Sequence, residues 1–217
     1  MTLTRKLTIA IDGPAGAGKS TLAARLARKL DYVNLESGAM YRALALKAIE
    51  WDLALQDESE MLKLARLTKI VLEPTLRGNR VLLDGSDVSD RVRQRDVTEA
   101  ASRVSVHPQV REWMVARQQE LGANGGVVME GRDIGTVVFP NAELKIFLNA
   151  NPEAREQRRV LQQAQSGAVV NAEDLAQEMR DRDTRDRTRL NSPLQAAADA
   201  VHLDSTDLTE EIGRAHV

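Results

Sequence analysis

Short, unbroken apolar runs alternate along the chain with segments of helical spacing. Four of these runs are strong, Leu7 to Ile11, Val127 to Met129, Leu144 to Leu148 and Ala200 to Leu203, and Tyr32 to Leu35 is a weaker fifth. Each is bounded by Gly, Asp or Asn and lacks the apolar–polar alternation of a half-exposed strand. They are therefore expected to be strands buried on both faces, as in a parallel sheet sandwiched between helices. Leu22, Leu26 and Leu30 recur every four residues after Lys19, and Ala43, Leu44, Ala48 and Trp51 follow Tyr41 in the same manner. The alternation predicts an α/β fold: a doubly wound parallel sheet of about five strands with helices on both faces, binding ligands beyond the carboxyl ends of its strands.

One stretch departs from this rhythm. A helix is expected to open at Asp57, with Glu60 in capping-box spacing. Ile70 to Glu73, a turn region from Pro74 to Asn79, and Val81 to Asp84 then read as an antiparallel hairpin, with a short third strand near Val88. Two helices should follow, the second starting at Pro108, where a missing N–H is harmless. Pro152 to Leu190 is charged and helical, interrupted at Ser166 and Gly167. A short helix and a loose end are expected over Asp207 to Val217. The chain thus reads as one domain, 1–217, with a core of 1–67, 94–151 and 191–217, a β insert of 68–93 and a helical lid of 152–190.

Composition narrows the function. The 217 residues are 42% hydrophobic and 29% charged, as in a globular protein with a sizeable core. Thirty Lys and Arg against 32 Asp and Glu give a net charge of −2, so no global cationic field recruits nucleic acid or a membrane. An anion site must be built locally. The absence of cysteine removes disulfides, thiolate nucleophiles and Cys-ligated metals. No signal-like segment opens the chain and no run approaches the roughly 18 apolar residues of a membrane span, so a cytoplasmic location is expected. Six aromatic residues in all make base stacking a minor contributor to recognition. His107, His202 and His216 show no metal-ligand spacing, with His202 expected inside a buried strand.

Gly13, Pro14, Ala15, Gly16, Ala17, Gly18, Lys19 and Ser20 fit the phosphate-binding pattern G-x-x-x-x-G-K-[ST], and Thr21 continues into a helix. Glycines let successive N–H groups turn toward one anion, and the helix N-terminus adds partial positive charge. Lys19 would neutralise β and γ phosphates and Ser20 would offer a hydroxyl oxygen to Mg²⁺. Ser37-Gly38-Ala39-Met40-Tyr41-Arg42 follows the second strand, so Arg42 would face the same sheet edge and clamp a second phosphate, with an exposed helix arginine as the plain alternative. Glu130-Gly131-Arg132-Asp133 follows the third strand and offers an acid near Mg²⁺, a guanidinium for phosphate and a carboxylate for a substrate N–H; the spacing does not divide these roles, and a salt-bridged turn fits it too. Arg180 to Arg189 holds five arginines and three aspartates. Arg182, Arg185, Asp186 and Arg189 share one helical stripe suited to phosphate and ribose. Arg155, Arg158 and Arg159 form a further cluster.

With these four segments in this order, the chain resembles the bacterial cytidylate kinases, a P-loop nucleoside monophosphate kinase family, over essentially its whole length. The resemblance rests on Ile11 to Ser20, Ser37 to Arg42, Glu130 to Pro140 and Arg182 to Arg187, and on the β insert at Ile70 to Arg93. It implies transfer of the γ-phosphoryl group of ATP to CMP or dCMP with Mg²⁺, with UMP a poorer acceptor. It further implies that the glycine turn, Lys19, Ser20, Thr21 and Arg158 bind ATP. Ser37, Arg42, Arg132, Arg182 and Arg189 would hold the acceptor phosphate and the transferring group, Ser102, Arg111 and Asp133 would read cytosine, and Asp186 would contact ribose. Glu36 stands where the family commonly has Asp. The expected partners are these two small substrates, with no nucleic acid or membrane, and a monomeric state. Another small P-loop kinase and a nucleotide-dependent switch are the competing readings; the arginine stripe and β insert disfavour the first and balanced charge the second.

Overall fold

The computed structural model describes residues 6–75, 78–165 and 171–208. The Ser166-Gly167 interruption, His216 and nearly all of the expected tail helix lie outside them, as does the tip of the hairpin turn.

Five strands, β1 (Thr8–Asp12), β2 (Val33–Glu36), β6 (Val127–Gly131), β7 (Leu144–Asn149) and β8 (Val201–Asp204), form one sheet in the order β2-β6-β1-β7-β8. Every pairing in it is parallel. All five strands therefore end at one edge, where Asp12, Glu36 and Gly131 lie. The two central strands divide their side chains between two cores. Ile9, Ile11 and Val128 face one that includes α1 (Lys19–Leu30), while Ala10, Val127 and Met129 face the other. That second core receives α2 (Ser37–Glu50), α3 (Glu58–Leu67), α4 (Arg95–Val104) and α5 (Pro108–Gly122). Such two-sided burial is why these strands lack alternation.

The expected starts of α3 and α5 hold: the Asp57 carboxylate accepts from Glu60 N–H at 3.0 Å, and Pro108 opens α5. The small antiparallel sheet comprises β3 (Ile70–Thr75), β4 (Gly78–Leu83) and β5 (Ser86–Asp87), its third strand just before Val88. Leu72, Val81 and Leu83 sink into the second core, so this sheet is not an independent unit. Asn79 joins it to the main sheet. Its side-chain amide donates to the Asn34 carbonyl at 2.7 Å and accepts from Glu36 N–H at 2.8 Å, a buried substitute for a neighbouring strand along β2.

Three expectations need correction. β8 is exposed along its length, including Val201, His202 and Leu203, because it is an edge strand; an apolar run does not reveal whether a second neighbour covers it. His202 is therefore not buried. Trp51 is not on the buried stripe of α2 but follows its last turn, 56% exposed, with the Lys47 ammonium 4.9 Å from its ring. Leu30 is likewise exposed, while Ala23 and Ala27 carry the buried face of α1. The charged segment forms α6 (Pro152–Gln165) and α7 (Ala172–Thr188). No helix among the described residues is long and apolar enough to cross a membrane.

Candidate active site

The glycine turn from Gly13 to Gly18 joins β1 to α1. Gly13 has φ +152°, and a Cβ there would lie 1.9 Å from the Leu148 carbonyl oxygen, so the approach of the turn to β7 needs a bare Cα. Outside the turn, three carbonyls are tied down. Arg155 donates to Ala15 at 3.1 Å, Arg158 to Gly16 at 3.4 Å and Ser205 to Ala17 at 2.8 Å. A trans peptide directs its N–H opposite to its carbonyl, so the N–H groups of Gly16, Ala17 and Gly18 point away from these partners. Gly18 starts α1 without a side-chain cap, and the first turn holds no acid, which leaves that helix terminus disposed toward an external anion. Lys19 is buried and its Nζ donates to the Pro14 carbonyl at 2.7 Å. Burial first, then Arg132, pushes the Lys19 ammonium well below its ordinary range. Only a negative group can relieve both.

Opposite the turn stands a mesh of ion pairs drawn from separate elements. Arg132, after β6, donates through Nε to Asp186 on α7 at 2.8 Å, and Arg189 Nη1 stands 3.6 Å from the same carboxylate. Arg111 on α5 pairs with Asp133, and Arg189 Nη2 lies 4.0 Å from Asp133 on its other oxygen. Arg111 also caps the Ser105 carbonyl at 3.1 Å and lies 5.6 Å from the Tyr41 ring. Ser105 in turn donates to the Ser102 carbonyl at 3.0 Å, whereas the buried Ser102 hydroxyl has no partner. Arg42 pairs with Glu36 at 2.6 Å, and Ser37 Oγ donates to the Glu130 carbonyl at 2.7 Å. Arg182 is pushed down to about 10 by burial and by Arg132, with Arg42 and Arg159 adding to the repulsion.

Several buried donors in this mesh have no hydrogen-bond partner among the described residues: Arg42 Nε, Arg182 Nε and Arg185 Nε, while Arg189 Nη2 has only its 4.0 Å ion pair with Asp133. An unsatisfied buried donor costs about 1–3 kcal/mol, more when charged, so these groups favour an anion rich in oxygens. Arg158 touches the glycine turn itself. Beyond Gly16, its guanidinium binds Ser205, the Thr206 carbonyl at 3.2 Å and that of Leu208 at 3.0 Å, on the outer side of the turn. Burial and then repulsion from Arg42 push the guanidinium of its neighbour Arg159 down, and Arg159 adds to the repulsion on Arg182. Side chains one residue apart on a helix diverge by about 100°, so a run of arginines cannot show which one faces the site.

Oxygen donors for a divalent cation also meet here. The Ser20 side chain hydrogen-bonds Glu130, whose Oε1 is buried and unpartnered. Burial and the nearby Glu36 push the Glu130 carboxyl upward. Among the described residues no group of three or more acidic or histidine side chains is placed to hold a metal unaided. Magnesium fits this site in company with substrate phosphates, which supply the remaining oxygens.

Asp12, at the same sheet edge, is a residue that local spacing did not single out. Its buried carboxylate accepts from Ile134 N–H at 2.8 Å and Gly135 N–H at 2.7 Å, and burial pushes it up to about 6.

The family model described as Cytidylate kinase matches residues 9–213. The cytidylate kinase of Geobacillus kaustophilus (strain HTA426) is 50% identical over 207 residues, which cover 95% of this chain and 92% of that protein. That of Geobacillus thermodenitrificans (strain NG80-2) is 49% identical with the same coverage. The cytidylate kinase of Bacillus subtilis (strain 168) is 46% identical over 94% of this chain and 92% of its own length.

Proposed function

The chain belongs to the cytidylate kinase family, and on that premise we propose that it moves the γ-phosphoryl group of ATP to CMP or dCMP, giving ADP and CDP or dCDP, by in-line transfer under arginine charge neutralisation. The observation that carries this reading is the set of buried guanidinium N–H donors on Arg42, Arg182 and Arg189 that make no hydrogen bond among the described residues, beside Arg132 and Lys19. Two phosphorylated substrates repel each other, and such a set offsets that repulsion without moving during the reaction.

The N–H groups of Gly16, Ala17 and Gly18 hold the donor phosphates, and Lys19 exchanges its bond to Pro14 for them. Arg42, Arg132, Arg182 and Arg189 receive the acceptor phosphate and the charge that spreads over the transferring oxygens. Ser20 and Glu130 would hold magnesium, which supplies further positive charge at the β and γ phosphates. Asp133, with Arg111 and Ser102, reads the base, and Asp186 holds ribose while orienting Arg132. The acceptor phosphate is ionised already, so no general base is needed. Residues 152–190 act as a lid: Arg155 spans from the Ala15 carbonyl to Asp183, and Arg95 on α4 pairs with Glu178 on α7, so α7 is positioned to shield ATP from water.

An ADP-coupled assay across CMP, dCMP, UMP, AMP and shikimate tests this. CMP and dCMP are expected to give the highest kcat/KM; a higher value with a non-cytidine acceptor overturns the assignment.

A further inference from the structure

Asp133 occupies the residue immediately before a wide π-type turn, Ile134–Val138, a position from which an aspartate ordinarily accepts the first free backbone N–H groups of the turn. It does not do so here. Asp133 makes no cap, and its carboxylate is directed to Arg111 and Arg189 instead. The free N–H groups of Ile134 and Gly135 are taken by Asp12, 122 and 123 residues away in sequence, one on each carboxylate oxygen.

We propose that Asp12 is a positioning residue for acceptor specificity: by capping this turn from the end of β1, it releases the neighbouring Asp133 carboxylate to read the nucleobase. The inference rests on the reading of Asp133 given above. Its logic is competition between two carboxylates for the same pair of donors. Asp12 reaches them because β1 and β6 run in register, with Asp12 opposite Gly131. An asparagine at position 12 keeps the shape but offers one oxygen and an NH₂ group, so one N–H loses its acceptor. The nearest substitute is Asp133 itself, which would fold back and abandon Arg111 and the base. Because Gly13 follows Asp12 directly, the same carboxylate fixes the acceptor loop relative to the glycine turn.

The test compares kcat/KM for CMP and UMP in the wild type, Asp12→Asn, Asp133→Ala and the double variant. Asp12→Asn is expected to lower the CMP-over-UMP ratio about tenfold, mainly through KM for CMP, with KM for ATP changed by less than about twofold. The double variant should discriminate no worse than Asp133→Ala alone, since both changes remove one contact. An unchanged ratio in Asp12→Asn, or losses that multiply in the double variant, overturns the proposal while leaving Asp133 as the reader. An unchanged ratio in Asp133→Ala instead overturns the base-reading assignment. Should Asp12→Asn fail to fold, Asp12→Glu serves. Its carboxylate stands on a side chain one methylene longer and does not meet both N–H groups with the 2.8 and 2.7 Å geometry of the aspartate. The same loss of discrimination is expected, and its absence overturns the proposal.

Discussion

The two halves of the site are built from different materials. The half proposed for the phosphoryl donor is a run of consecutive residues that offers backbone N–H groups and one lysine, and it needs only glycine geometry and a strand-to-helix junction. The acceptor half is assembled from side chains on α2, α5 and α7 and the loop after β6, held by reciprocal pairing of arginines with buried aspartates. The first is stiff because its peptide planes are fixed from outside. The second is stiff because each charge restrains another. Removing a group from the donor half should therefore abolish catalysis and spare the fold, whereas the acceptor half should lose both together.

The sharpest contrast is Lys19→Ala. Its kcat/KM is expected to fall about a thousandfold or more, with unfolding by circular dichroism little changed, because among the described residues the ammonium donates to the Pro14 carbonyl rather than to a core side chain. Near-normal turnover in a folded variant would break the contrast. Arg132→Ala should lower kcat/KM for CMP about a hundredfold and also cost about 2 kcal/mol in urea unfolding, since Asp186 is left buried without its 2.8 Å donor. Unchanged stability would show that the acceptor mesh is not self-supporting.

Between the halves lies Asp12, whose titration gives a pH signature. A folded pKa raised from 3.8 to about 6 adds stability that is complete below 3.8 and is lost as pH climbs through about 6. Relative to Asp12→Asn, the wild type should lose on the order of 3 kcal/mol of stability between about pH 4 and pH 7 in denaturant titrations, and a flat difference refutes the shift. The smallest effect is expected at the periphery. Asn79→Ala removes two buried hydrogen bonds to β2, so thermal unfolding should report a loss of about 1–2 kcal/mol, with KM for CMP raised about twofold through Glu36.

What could be read from the sequence follows the same division. The turn from Gly13 to Ser20, the Asp57 cap and the Pro108 helix start depend on neighbours within a few residues, and all three were legible. The buried central strands were legible as well, because two-sided burial removes alternation. Pairing of Arg111 with Asp133, or of Arg132 with Asp186, depends on how α5 and α7 cross the sheet edge, and no spacing encodes that. The resemblance nominated those residues without supplying their partners. Asp12 was missed because its partners lie more than 120 residues away, although an aspartate ending a buried strand always requires some donor.

The contact between Asn79 and β2 also bears on how the molecule avoids its own kind. A terminal strand of a parallel sheet presents free N–H and C=O groups that any extended peptide can template upon, including another copy in a crowded cell. One asparagine occupies both the Asn34 carbonyl and the Glu36 amide, and so closes that flank at little expense in chain length. A shortened chain lacking the hairpin would then be prone to self-association as much as to loss of catalysis.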